Sequence, residues 1–395
     1  MDTTSHVAQG GTRTVIHLPY DVLLDVFSLL PSRDLVNLLC SCRTLYALVA
    51  DESTWCSLSR QYGLRDVTHF GGRSWYTIYT RLLHTYGPML GLWAGDHPYT
   101  GGVIEITLDA GIADRPGGIV VEMWRFRTLQ PEDLDGPEVP ELPAYSLLAR
   151  IDFSTTATLH EPAKMTCRCD KRSSAHRAWF ELLSPSFRGF YLHTRRGQYA
   201  HPDLPGPEVD AWPHAIIMSC ELGCIQRHRP FLGFEDISQA APRFYPLRHE
   251  PHPYIDADSP SWGPTSLEGV WLGSHGPHGT ECLFFEWVGR LSTLRAWKIS
   301  GDENVPRGAL TWEAKMHTSL QLSGDHLEVC ARSLGDLNGY KFFRGSGTFS
   351  ARGFMPHQRE SAAVILAVGH APMLRVVWVD VEEVSGYIRY PGRQY

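Results

Sequence analysis

The sequence contains no apolar run of the roughly 18 residues that a membrane-crossing helix needs. It has no Lys/Arg-rich block either, and its net charge of −7 is modest, so nucleic-acid binding has no electrostatic footprint. Residues 1–14, MDTTSHVAQGGTRT, are polar and lack the apolar segment of a signal peptide. The nine cysteines are odd in number and scattered from Cys40 to Cys330 without a disulfide rhythm, as expected of a reduced intracellular compartment, cytoplasm or nucleus. No phosphate-binding Gly-rich loop and no G-x-S-x-G elbow is present. What is present is ordinary for a soluble globular protein: 395 residues, 43% hydrophobic and 20% charged, enough for two or three domains.

From Leu18 to about Tyr86 the pattern is helical. In LPYDVLLDVFSLLP, Leu18 to Pro31, the polar side is only Asp21, Asp25 and Ser28, at i, i+4 and i+7. Pro19 suits the first turn and Asp21 complements the positive helix end. Pro31 stops this helix. Ser32 is positioned to cap the next, with Leu35, Leu38 and Leu39 on one side. Further helical stretches are expected near Arg43–Ala50 and Ser53–Tyr62, ended by Gly63. The first helix is apolar around most of its circumference, and some 45 short-helix residues cannot bury all of it. Each fully buried Leu, Val or Phe side chain is worth about 1.5–3 kcal/mol, so a partner protein is the natural cover.

After Gly87 the text turns to short β-type runs among Gly and Pro: VIEITL, GIVVEMW, SLLARIDF, ECLFFEW, LRAWKI, HLEVCA, AAVILAV and LRVVWVDV. AAVILAV and ECLFFEW read as strands buried on both faces. Residues 130–143 and 246–264 are Pro-rich and expected as loops, the second either a hinge between barrel halves or a surface connection. One internal repeat stands out. Residues 91–101, GLWAGDHPYTG, and 269–279, GVWLGSHGPHG, share Gly, Trp, Gly, His and Gly at an offset of 178. Each copy reads as strand, Gly-rich turn and return strand, which implies two related hairpins seating a Trp in one barrel or in two packed sheets.

Metal ligation has two candidates, Cys167/Cys169/His176 in CRCDKRSSAH and Cys220/Cys224 in CELGC, and neither has paired C-x₂-C spacing. His97 and His275, at equivalent repeat positions, read as turn-capping or packed residues rather than ligands. No cofactor and no metal is expected.

The stretch LPYDVLLDVFSLLPSRDLVNLLCSCRTLYALVADESTWCSLSRQYG resembles an F-box: Leu-Pro, two short amphipathic helices, Cys-Arg at the third, then a Trp. The resemblance implies docking to a Skp-family adaptor and through it to a cullin–RING ubiquitin ligase. By position Leu18, Pro19, Leu23, Val26, Phe27, Leu30, Leu35, Leu39 and Cys42 would contribute. YGPMLGLWAGDHPYTGGVIEITLD, GVWLGSHGPHGTECLFFEWVGRLSTLRAWKISGDENVPRG and GSGTFSARGFMPHQRESAAVILAV further resemble the F-box only protein 31 family, with residues 130–265 alike in order and length only. That family captures substrate C-terminal tails on a β-rich domain.

The implied architecture is α+β: a three-helix F-box at 15–62, a helical connector at 63–86 and a mainly antiparallel β-barrel-like substrate-binding domain at 87–395. The implied function is that of a non-catalytic substrate receptor, with neither membrane nor nucleic acid as partner. A tail site needs an apolar slot, donors for a carboxylate or amide oxygen and an acceptor for an amide N–H₂. His275, His278, Lys298, Asp302 and Asn304 offer these, although Gly-Asp is also ordinary turn chemistry. The rival reading starts from the G-x-W that opens lipocalin-like barrels: a stand-alone barrel binding a small hydrophobic ligand.

Overall fold

The computed structural model describes residues 15–30, 32–97, 99–126, 140–154, 161–167, 176–183, 215–222, 242–247, 257–274, 279–302, 304–369 and 373–393. The chain divides into two compact units. One comprises the residues up to Pro88 with Leu108–Ile119 and Ile151–Lys164; the other comprises Met89–Thr107, Val120–Arg150 and Met165–Tyr395.

The first unit is helical: α1 Tyr20–Leu29, α2 Ser32–Leu39, α3 Arg43–Tyr46, α4 Glu52–Arg60, α5 Trp75–Ile78, a π-helical turn Tyr79–Leu83 and α6 His84–Tyr86. Leu23 and Phe27, one turn apart on α1, are buried with Leu35 and Leu39 of α2, Leu45 of α3 and Trp55 and Leu58 of α4. Asp51 caps α4 by accepting from the Ser53 N–H at 2.8 Å, and Gly63, at φ +87°, ends the turn that follows it. Pro19 is the N-cap of α1, one position before the first turn expected for it. The loops that join this unit from later in the chain are tied to the connector. The Gly117 N–H donates to His69 O at 2.8 Å, and the buried Arg73 donates to Ser154 O while lying over the Phe153 ring. Gly117 is obligatory there, because a Cβ would stand 2.4 Å from the Phe70 ring.

The strands form two closed eight-stranded barrels, the second antiparallel at every pairing. The first takes β1 Gly91–Gly95, β2 Val103–Asp109, β3 Gly118–Arg125, β4 Ala144–Asp152, β5 Lys164–Cys167, β6 His176–Leu183, β7 Ala215–Cys220 and β8 Arg243–Leu247 in sequential order, β8 closing on β1. The second takes β9 Gly269–Ser274, β10 Thr280–Val288, β11 Thr293–Lys298, β12 Leu310–Lys315, β13 Lys341–Ser350, β14 Arg359–Val368, β15 Met373–Trp378 and β16 Glu383–Arg389, β16 closing on β9. The repeat thus opens two barrels, where the sequence left one barrel or two packed sheets.

Strand alternation builds three layers. Leu283, Phe285, Leu294, Ala296, Trp271, Trp312 and Tyr387 fill the second barrel. Cys282, Phe284, Val270 and Leu272, the alternate residues of the same strands, pack with Leu92, Ala94, Val103 and Trp124 of the first. On the far side Ile365, Ala367, Phe342 and Val377 pack against Val329 and Cys330 of helix α7, Asp325–Leu334. HLEVCA, read from the sequence as a strand, is therefore helical. It lies between Gly324 and Gly335, both with positive φ, has Asp325 and Glu328 in its first turn and Arg332 in its last, and buries one side only.

Candidate functional site

Two surfaces are candidates, one in each unit. In the helical unit the nine residues expected to dock an adaptor separate into two groups. Leu23, Phe27, Leu35 and Leu39 are buried and hold the helices together, while Leu18 is exposed, as is Pro19, and Val26, Leu30 and Cys42 are half-buried. The outward apolar stripe runs Leu18, Val22, Val26 and Leu29, spaced four, four and three residues apart. Leu29 is 83% exposed. Val15, Ile16, Val36 and Tyr46 are exposed as well. The sequence reading did not single out Val22, Leu29 or Val36; the same i, i+4 spacing that isolated the Asp21–Asp25 stripe would have found them. Asp21 and Asp25 are exposed, and the Ser28 side chain lies outside the described residues. Tyr20 donates its hydroxyl to Asp51, and this bond is the leading reason the Asp51 carboxyl is held below its ordinary pKa.

In the second barrel, β10 and β11 form a hairpin turning at Gly289–Leu291, so the residues flanking it share one end. The Ile299 and Ser300 N–H groups donate to Cys282 O, and the Cys282 N–H to Ser300 Oγ. At this end sits a buried charge network. Lys298 Nζ stands 2.9 Å from Glu281 Oε2 and 3.0 Å from Asp302 Oδ2. Tyr387 donates its hydroxyl to Glu281 Oε1 at 3.3 Å, and Trp312 donates its indole N–H to the Tyr387 hydroxyl at 3.4 Å. Burial works against the Lys298 ammonium, but the Glu281 and Asp302 charges outweigh it and hold its pKa above the ordinary value. Burial likewise opposes the Asp302 carboxylate, yet Lys298 and two backbone N–H groups hold its pKa low. Those N–H groups belong to Asn304 and Val305, each 2.7 Å from Asp302 Oδ1. Asp302 therefore forms the turn and also faces the lysine.

Asn304 is half-buried in the same turn. His275 and His278 lie outside the described residues, as do Cys169 and Cys224; Cys167 and Cys220 are buried. Among the described residues no group of three His, Cys, Asp or Glu side chains is placed to hold a metal. The loop bearing Asp302 is stitched to the first barrel's opening turn: the Gly301 N–H donates to Thr100 O at 3.1 Å, and the Arg307 N–H to Tyr99 O at 2.8 Å. His97 places Nδ1 2.9 Å from Thr100 Oγ1, within the turn, the first of the two roles, turn-capping or packed, expected for it.

Residues 15–61, which hold the exposed stripe, match the F-box-like family. Residues 254–390, the second barrel, match the Cyclin D1 binding domain family. The chain is also similar to F-box only protein 31-B of Xenopus laevis, 25% identical over 80% of this chain and 57% of the relative. The Homo sapiens F-box only protein 31 is 24% identical over 78% of this chain and 54% of its own length. The chain thus spans a little over half the length of the curated relatives it matches.

Proposed function

We propose that the chain is the substrate-recognition subunit of a cullin–RING ubiquitin ligase, docking a Skp-family adaptor through the F-box and capturing proteins on its second barrel for ubiquitination and proteasomal degradation. The observation that carries this is the outward stripe Leu18–Val22–Val26–Leu29 on a helix whose other apolar side is already buried. Such a stripe in water is costly and has the form of a helix-in-groove ligand. The chain's own contribution is proximity: it holds a substrate lysine near a charged conjugating enzyme, and the acyl transfer belongs to partners.

Capture of C-terminal tails is supported by the barrel end. Asp302 uses three acceptor positions, on Asn304, Val305 and Lys298, of about four that a carboxylate offers. The fourth suits an incoming amide N–H₂ and repels a carboxylate, while Lys298 attracts one. The interior of the second barrel does not favour a lipocalin-like ligand cavity. Trp271 stacks on Phe285 at 4.9 Å between centroids, and Trp312 meets the same ring edge-on at 4.8 Å. Co-expression with a Skp-family adaptor tests the reading: a stable complex that is lost in Leu29→Asp supports it, and a chain that never co-purifies ends it.

A further inference from the structure

The chain has 5 lysines and 31 arginines, and its first 163 residues contain no lysine at all. Lysine is among the commonest residues of globular proteins, so this is a depletion of one cation and not of positive charge. The two cations differ chemically in one respect that matters to a ligase subunit. A Lys Nζ can shed its proton and act as a nucleophile, whereas a guanidinium remains protonated in proteins.

The four described lysines are not equivalent. Lys298 is buried between Glu281 and Asp302. Lys341 donates to Ala257 O, pairs with Asp258 and lies over the Trp262 ring. Lys315 is exposed but donates to the buried Thr293 hydroxyl at 3.1 Å. Only Lys164 combines a 63% exposed side chain with a single partner, Glu161 at 3.3 Å, itself exposed, and such a pair is worth little. Lys164 ends the segment Ile151–Lys164, which belongs to the same compact unit as the F-box. Lys171 lies outside the described residues.

We infer that the chain is built to escape ubiquitination by its own ligase, with Lys164 as the one effective acceptor among its described residues. The inference rests on the ligase-receptor reading above. A subunit held permanently in the complex presents its amines at high effective concentration to the charged enzyme, whereas a substrate visits. An unprotonated Nζ attacks the thioester carbonyl that joins ubiquitin's C-terminus to a conjugating-enzyme cysteine. A C–N bond forms, the C–S bond breaks, the thiolate leaves and the amine proton passes to solvent. Replacing lysine by arginine removes the nucleophile and keeps the charge.

The test is ubiquitination of the full chain in a reconstituted adaptor–cullin–RING complex without substrate, with attachment sites mapped by mass spectrometry. Self-modification is expected to be slow and to map chiefly to Lys164, and to fall in Lys164→Arg. A second variant restores acceptors at three exposed positions of the helical unit, Arg60→Lys, Arg65→Lys and Arg81→Lys combined. It should modify itself about fourfold faster, since one exposed amine in that unit becomes four. Equal melting temperatures of variant and parent establish that folding is intact. If the complex assembles but the triple variant is modified no faster, or attachment maps mainly elsewhere, the inference is overturned alone. If no complex assembles, it falls together with the receptor reading.

Discussion

Trp93 and Trp271 occupy the same position in two barrels. Each indole N–H donates to the carbonyl four residues earlier, Met89 O at 2.7 Å and Leu267 O at 2.8 Å, and each side chain is fully buried. Gly91 and Gly269, two residues before each Trp, share an unusual backbone, φ +122° and +127°, and Gly101 and Gly279 both have positive φ. The flanking residues match too: Leu92 and Ala94 face Val270 and Leu272 in one shared cluster, so the two hairpins pack back to back. Five shared letters in eleven correspond to shared backbone, shared hydrogen bonds and shared burial.

Each tryptophan should accordingly carry a similar energetic weight. Trp93→Ala and Trp271→Ala are each expected to cost about 3–5 kcal/mol, from lost burial and the cavity left behind. Denaturant titration of the two variants checks this. A near-neutral effect at either position would contradict the equivalence of the two hairpins.

Helix α1 predicts opposite outcomes for its two sides. Leu29→Asp with Val22→Asp should abolish adaptor co-purification and leave the melting temperature within a few degrees of the parent, as expected of exposed positions. Phe27→Ala, on the buried side, should cost about 3–5 kcal/mol. Calorimetry alongside adaptor pull-down separates them. Loss of stability without loss of binding in the first variant would invert the assignment.

Much of this architecture is legible in the sequence wherever one physical signal dominates. VIEITL, GIVVEMW, ECLFFEW and AAVILAV are strands because apolar β-type residues run together there, and the last two are indeed covered on both faces. KFFRGSGTFS, Lys341–Ser350, escapes notice because Gly and Ser argue against a strand. Its glycines answer to tertiary contacts instead. A Cβ on Gly345 would stand 2.1 Å from Glu313 O, and one on Gly347 2.1 Å from the Trp378 ring. The outward stripe of α1 was only half legible for a similar reason: a helix apolar on nearly all sides does not reveal which side its own unit buries. At the barrel end the hairpin was readable from its turn, but the choice of Glu281 as the partner of Lys298 was not, since it depends on the register that sets Leu283 opposite Lys298.

Lys298 and Glu281 predict an asymmetry. Removing the lysine leaves a buried carboxylate without its cation, so Lys298→Met should cost about 3–5 kcal/mol. Replacing both, Lys298→Met with Glu281→Leu, should recover part of that loss, because the more deeply buried of the two carboxylates that lose the lysine is gone while Asp302 remains. A double-mutant cycle from urea titrations gives the coupling. Additive losses would mean that the two charges act independently.

Asp302 supplies the pH test. Its pKa lies below the ordinary 3.8 in the folded chain, so the stability it contributes is fully present above that value and is lost as pH falls through the folded pKa. Lys298 lies above its ordinary 10.5, so its share persists below that value and is lost as pH rises through the folded pKa. Asp302→Asn removes one titrating partner while keeping an oxygen for the Asn304 and Val305 N–H groups. The stability gap between parent and Asp302→Asn should therefore stay constant from about pH 5 to 9, at roughly 1–2 kcal/mol for a lost charge-assisted bond. It should shrink below the ordinary carboxylate range, where the parent's own Asp302 becomes protonated and resembles the variant. Tail selectivity is read on the same protein, as binding of peptides ending in an amide against those ending in a free carboxylate. The asparagine should lose preference for the amide, because the carboxylate that accepted its N–H₂ is gone while Lys298 remains to attract the free acid. A variant with a closing gap but unchanged selectivity would leave Asp302 as a turn residue and Lys298 partner alone.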